Sequence, residues 1–490
     1  MLHEWLNRVA DRWPDRPGIV EPDRETTLAE LRSQSAAMAA TFRQSGVIPG
    51  DRVALVMDKS RDAIVALYGA LMAGAIYVPI PPSWPQARID AVVRDCDPRI
   101  VVAHDGDAGS VAVRRRSPQT SATRAWPTAD PPAFILFTSG STGTPKGVTI
   151  SHDAAGAFVD WTAREFGLGP DDRIACPSPL SFDLSTFDVL NIARSGSASV
   201  LLPEPTRWVP RLLLQAIEDM RVTAWYSVPS ALSAVAETPD VVRGRLASVR
   251  LFLLAGEVFP PRLAAALRAA CPDARICNLY GPTETNVVTW HELSASVDPI
   301  APVPIGTACP YAVVHIMEAD EDSHGPGRQT GELLVSGRSL MVGYWNRPDE
   351  TARAFAEIGD ETGSVRCYRT GDRVSVGPDS QIHFIGRLDR QIKRLGIRLE
   401  LGEIEAVLGH HPAVIEAAAV ASGGRPPVVT AFVRLGIPAA DVDTLRVHCA
   451  GLLPAAMLPD RIVILADMPR GNRGKIDYER LSLWEPAAGT

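Results

Sequence analysis

Short runs of Val, Ile and Leu alternate along this chain with Ala-, Arg- and Glu-rich stretches, whose apolar residues recur every three or four positions. The first pattern predicts strands and the second helices. Strands are expected at Arg52 to Met57, Ile100 to Ala103, Phe134 to Phe137 and Ser199 to Leu202, and helices at Ser60 to Met72 and Arg262 to Cys271. Strands alternating with helices imply an α/β fold with largely parallel sheets. From Asp105 to Pro132 the chain is rich in Ser, Thr, Asp, Arg and Pro, and it reads as an irregular surface connection. The pattern changes again near Gly386 to Arg390. Roughly a hundred residues follow, with their own alternation, including Val414 to Val420, enough for a small separate domain.

At 490 residues the chain exceeds what one hydrophobic core serves, so two or more folding units are expected. A formal charge of −8 argues against a nucleic-acid surface. Arg114, Arg115 and Arg116 form the main basic cluster and read as part of a solvated loop. The seven cysteines are scattered, with no C-x-x-C pair, which excludes a zinc ribbon or a dense disulfide framework and suggests a reducing compartment. The start has no basic region followed by an apolar core, and no apolar run spans a bilayer. A cytoplasmic protein without a membrane partner is expected.

Directly after the apolar run Phe134 to Phe137 comes Thr138-Ser139-Gly140-Ser141-Thr142-Gly143-Thr144-Pro145-Lys146-Gly147. Three glycines let backbone N–H groups approach phosphate oxygens, five hydroxyls add donors, and Lys146 adds a point charge. The order is not G-x-x-x-x-G-K-[ST], which excludes the mononucleotide P-loop. With Val148 to His152 behind it, this loop resembles the signature of the acyl- and aminoacyl-adenylate-forming family. That family includes acyl-CoA synthetases, luciferases and nonribosomal-peptide adenylation domains. Further blocks agree in order: Leu71 to Pro79, Asn278 to Thr285, Gly331 to Leu333, Tyr368 to Asp372, Gly386 to Lys393 and Asn472 to Asp477.

The resemblance implies a large N-terminal AMP-binding domain of mostly parallel sheets sandwiched with helices, residues 1–388. A small mobile α+β C-terminal domain, residues 389–490, would follow, with Asp389 as the hinge. It implies ATP and Mg²⁺ as cofactors. The nucleotide would be held by Thr138, Ser139, Gly140, Ser141, Thr142, Gly143, Thr144, Lys146, Gly256, Glu257, Asn278, Tyr280, Gly281, Thr283, Asp372 and Arg387. Tyr280 would stack on adenine, Thr283 donate to the α-phosphate, Asp372 accept from the ribose hydroxyls, and Glu284 hold Mg²⁺. Lys475 would stabilise charge developing between substrate carboxylate and α-phosphate. One departure is Lys393-Arg394-Leu395-Gly396, where the family more often has Lys-Ile-Arg-Gly.

Ser181-Phe182-Asp183-Leu184-Ser185 resembles the block of amino-acid-activating members, whose aspartate pairs with the α-ammonium. Such a carboxylate in an apolar pocket needs a cation. A helix N-cap is the other reading of Asp183. Carrying over the family's pocket positions gives Asp183, Leu184, Phe187, Tyr226, Leu253, Ala255, Leu279, Val287, Val288 and Lys475. The lining is apolar apart from the Tyr226 hydroxyl and resembles that of L-proline-activating ligases. Alanine, valine or a β-amino acid remain open, because an apolar pocket discriminates one methylene by only ~1–3 kcal/mol. The chain ends fifteen residues after Lys475, with no Gly-Gly-x-Ser segment to bear phosphopantetheine. The thiol is therefore expected on a separate carrier protein, with coenzyme A as the alternative. An acyl-CoA synthetase and a catalytically dead scaffold are the competing readings.

Overall fold

The computed structural model describes residues 1–105, 110–116, 130–140, 144–203, 209–232, 244–318, 329–360, 363–394, 396–424, 426–436, 440–470 and 476–484. By internal contacts they fall into two compact units. The first comprises 1–82, 96–136 and 147–388, and the second 83–95, 137–146 and 389–490.

The first unit is built on mixed sheets. In the nine-stranded sheet, Arg275–Tyr280, Leu251–Leu254, Ala224–Ser227, Arg173–Ala175, Ala198–Val200 and Pro17–Val20 run parallel in that spatial order, with antiparallel strands at both edges. A seven-stranded sheet has Ile76–Ile80, Arg52–Val56 and Ile100–Asp105 as parallel neighbours. A five-stranded antiparallel sheet carries Gly363–Val376 and Ile382–Arg387. The nine-stranded sheet is covered on both faces. Ala224, Tyr226, Leu251, Leu253, Cys277 and Leu279 point into one core, while Trp225, Phe252, Leu254 and Ile276 point into another. Successive side chains on a strand face opposite ways, so this division follows from the pleat.

Most expected elements form. The helix Arg61–Met72 begins where the Ser60 hydroxyl accepts from the Ala63 N–H at 3.2 Å, an ordinary N-cap. The helix Pro261–Ala270 starts with proline in its first turn, where a missing N–H costs nothing. Within Asp105 to Pro132, expected as an irregular connection, Ser110–Arg115 instead forms an edge strand antiparallel to Ile100–Asp105. Arg114 and Arg115 therefore belong to a strand, not to a loop. Val111 and Val113, two residues apart, pack on the main core and hold it there.

In the second unit, Val414–Ser422, Val428–Leu435 and Arg461–Ile464 form a sheet. On one face the helices Leu401–Gly409 and Val442–Ala450 bury Ile404, Leu408, Leu445 and Cys449 against Ala419, Val429, Ala431 and Val433. Gln391–Arg394 and Ile397–Glu400 form a hairpin whose turn holds Gly396 at φ +78°. No helix among the described residues is long and apolar enough to cross a membrane.

Candidate active site

Three clusters in the first unit and one loop in the second gather the residues singled out by the sequence. Ser141, Thr142, Gly143 and Lys475 lie outside the described residues.

The first cluster forms where Arg275–Tyr280 leads into Gly281. The Tyr280 hydroxyl donates to Asp372 Oδ2, and Arg387 donates to Asp372 Oδ1 at 2.8 Å. Burial first, then the adjacent Asp372, push the Tyr280 hydroxyl well above its ordinary value, so it remains a proton donor. Asp372 and Arg387 face each other across the register of Gly363–Val376 and Ile382–Arg387. Gly371, at φ +69°, lets the chain turn into this carboxylate, and its N–H donates to Glu332 at 3.1 Å. A carboxylate offers about four lone-pair sites, so two engaged by Tyr280 and Arg387 leave capacity for two further donors. Two residues before Tyr280 on the same strand, the Asn278 amide donates to the Pro304 carbonyl at 2.7 Å. Gly256 has φ +87°, and the Glu257 carboxylate accepts from the Ser230 N–H at 3.0 Å.

The second cluster surrounds Asp183. The helix Ser185–Ser195 has Leu184 at its N-cap with no side-chain cap, so the capping reading of Asp183 is overturned. Its carboxylate instead accepts from the Thr283 hydroxyl at 2.6 Å. Its carbonyl accepts from the Thr186 hydroxyl at 2.6 Å, and Thr186 in turn accepts from the Asn286 amide at 3.4 Å. Leu184, Phe187, Tyr226, Leu253, Ala255, Leu279 and Val287 are all buried in one large core. Phe187 meets Tyr226 edge to face at 5.0 Å between centroids. Burial foremost, then the Asp183 charge, raise the Tyr226 hydroxyl well above its usual value, so it is neutral. Val288 differs from the other pocket positions: it packs in a separate core with Tyr280, Ile305 and Leu333.

Glu284 makes the third cluster. It is fully buried, accepts from the Tyr344 hydroxyl at 2.7 Å, and its backbone carbonyl accepts from the Met341 N–H at 2.7 Å. No group of three His, Cys, Asp or Glu side chains able to hold a metal occurs among the described residues. One hard carboxylate is still a fit for Mg²⁺, an ion commonly completed by triphosphate oxygens and water.

In the second unit, the Ser139 hydroxyl donates to the Arg398 carbonyl at 2.9 Å and the Gly140 N–H donates to Glu403 at 3.3 Å. Thr138 donates to the Lys146 carbonyl at 3.5 Å. A Cβ on Gly140 would meet the Thr144 carbonyl oxygen at 2.1 Å, so this bend requires glycine.

Outside the expected site residues stand Thr186, Asn286, Tyr344, Glu332 and Thr370, whose hydroxyl accepts from the Asp372 N–H at 3.0 Å. Glu332 and Thr370 sit inside the motif blocks, so their positions carried a signal. Thr186 and Asn286 are a hundred residues apart and carried none.

This is the architecture of an adenylating enzyme, and sequence comparison agrees. The chain belongs to the AMP-binding enzyme family, whose main domain matches residues 6–345 and whose C-terminal domain matches residues 403–475. It is an AMP-forming ligase that uses ATP. An L-proline--[L-prolyl-carrier protein] ligase of Pseudomonas fluorescens is 35% identical over 97% of this chain and 98% of its own. A protein of the same description from Streptomyces coelicolor is 36% identical over 96% of this chain and 94% of its own. Among solved structures, the Vibrio cholerae adenylation domain AlmE, in complex with glycyl-adenosine-5′-phosphate, superposes with a TM-score of 0.81. It is 25% identical and covers 98% of this chain and 97% of its own.

Proposed function

We propose that this enzyme activates a small apolar amino acid, L-proline foremost, and passes it to the phosphopantetheine thiol of a separate carrier protein. The observation carrying the reading is Asp183, a partly buried carboxylate directly before Leu184, while the other pocket positions Phe187, Tyr226, Leu253, Ala255, Leu279 and Val287 are buried together with Leu184 in one core. An α-ammonium is the natural counter-charge for it. The remaining lining offers no charge, and the aromatic rings take up volume, which favours a compact aliphatic substrate. The two bacterial relatives named for L-proline support the same choice.

In this reading the substrate carboxylate attacks the α-phosphorus, and pyrophosphate leaves with the bridging electron pair. The carrier thiol, losing its proton, then attacks the acyl carbonyl, and AMP leaves. Asp372, already fixed by Tyr280 and Arg387, orients the ribose. Thr138, Ser139, Gly140 and Lys146 grip the phosphates, and Lys475 offsets the charge that develops in transfer. Glu284 would hold Mg²⁺, which when bound neutralises triphosphate charge. ATP–pyrophosphate exchange across a panel of amino acids tests the reading. L-proline should rank first; a rank below valine or alanine removes the proline assignment. Offering coenzyme A and a holo carrier protein in parallel decides the acceptor.

A further inference from the structure

The bond between Thr283 and Asp183 has a consequence for the order in which the site fills. Resting on the amino-acid reading above, we propose that Thr283 is a positioning residue for Asp183 that makes amino-group recognition depend on nucleotide. A threonine hydroxyl has one proton to donate. Here it is given to the Asp183 carboxylate at 2.6 Å, a short, charge-assisted bond between residues a hundred positions apart. In sequence Thr283 comes three residues after Tyr280, whose hydroxyl holds Asp372, and directly before Glu284, which Tyr344 holds.

When an α-phosphate takes the Thr283 proton, Asp183 loses a donor and gains in affinity for an ammonium. When an ammonium arrives first, it supplies donors to the carboxylate, and the Thr283 hydroxyl turns to phosphate. Either way the two ligands favour each other, and linkage requires the effect to be equal in both directions. The backbone of Asp183 need not move, because Thr186 holds its carbonyl and Asn286 holds Thr186. Both Thr283 and Asp183 are only partly buried, so each can reach a ligand as well as its partner.

The test is calorimetric titration of L-proline, L-alanine and L-valine into the full chain, with and without α,β-methylene-ATP and Mg²⁺. In the native enzyme and in Thr283→Ser, the bound amino acid should tighten about tenfold with the analogue present. In Thr283→Val, which keeps the shape and loses the hydroxyl, the two affinities should agree. Coupling retained in Thr283→Val overturns the proposal. So does an amino acid that binds the native enzyme equally well in both conditions; that result leaves the amino-acid reading intact. Should Thr283→Val fail to fold, Thr283→Ala, which also lacks the hydroxyl, takes its place, and coupling retained there overturns the proposal. Binding of none of the three in either condition overturns the amino-acid reading and this proposal with it.

Discussion

At the scale of single residues, the site is a set of carboxylates given different work by their surroundings. Asp372 has both oxygens engaged, by Tyr280 and Arg387. Tyr280→Phe removes one of these bonds and keeps the ring. A hydrogen bond to a charged group contributes about 1.5–3 kcal/mol, so KM for ATP should rise about tenfold or more, with the fold unchanged. Steady-state exchange kinetics at varied ATP would show it, and an unaltered KM would detach Tyr280 from nucleotide binding. Lys475→Ala is expected to abolish adenylate formation while leaving the thermal melt in place; near-native exchange would end its assignment. Asp183 and Asp372 were legible in the sequence because each is an aspartate inside a motif block, the first flanked by apolar residues. Thr186, Asn286 and Tyr344 were not legible, because their importance lies in which distant group they touch. A threonine in isolation carries no such information.

Single elements show where residue chemistry gives way to packing. Leu251–Leu254 reads Leu-Phe-Leu-Leu, with no polar alternation, because both of its faces are buried. Its apolar pattern alone does not say which side chains share a face. Leu253 is picked out as a pocket position by the family resemblance, and in the structure Tyr226 and Cys277 stand beside it in register and share its core. The turn after Tyr280 is another element fixed by contact. A Cβ on Gly281 would lie 1.7 Å from the Asn286 carbonyl oxygen, and Asn286 itself has φ +53°. Gly281→Ala should therefore destabilise the protein by about 2–3 kcal/mol or more and displace Thr283 and Glu284. Chemical denaturation alongside exchange would register both effects.

The helix Leu2–Arg12 packs against the opening of the helix His152–Glu165, where His152 Nδ1 accepts from the Leu2 N–H at 3.3 Å. Burial, with a smaller contribution from His3, lowers His152 from 6.5 to about 4. The unfolded chain takes up this proton below about pH 6.5, whereas the folded one resists it until about 4. Stability from this group is thus complete above pH 6.5 and is lost as the pH falls toward 4. Thermal melts between pH 7 and 4.5 should decline in the native protein and decline less in His152→Asn. Parallel profiles would show that His152 carries no part of the acid sensitivity.

For the molecule as a whole, the sequence marks a change of pattern near Gly386 to Arg390. It gives no hint that residues 83–95 and 137–146 group by contact with 389–490. The reason is visible in side chains no local pattern links: Arg88 is paired with Glu403 at 2.5 Å, both buried, and Glu403 also accepts from the Gly140 N–H. The first unit ends at Leu388 and the second resumes at Asp389, whose Oδ1 accepts from the Gln391 N–H at 3.1 Å. If Asp389 is the hinge of a two-step ligase, its φ must take two values during turnover. Proline there fixes φ near −65° and pushes Leu388 toward extended backbone. Asp389→Pro should then divide the two half-reactions. One, read by pyrophosphate exchange or by single-turnover transfer to pantetheine, should stay within about threefold of native, while the other falls by about a hundredfold or more. Half-reactions that fall together, or that both survive, would show that residue 389 is not where the chain bends between steps.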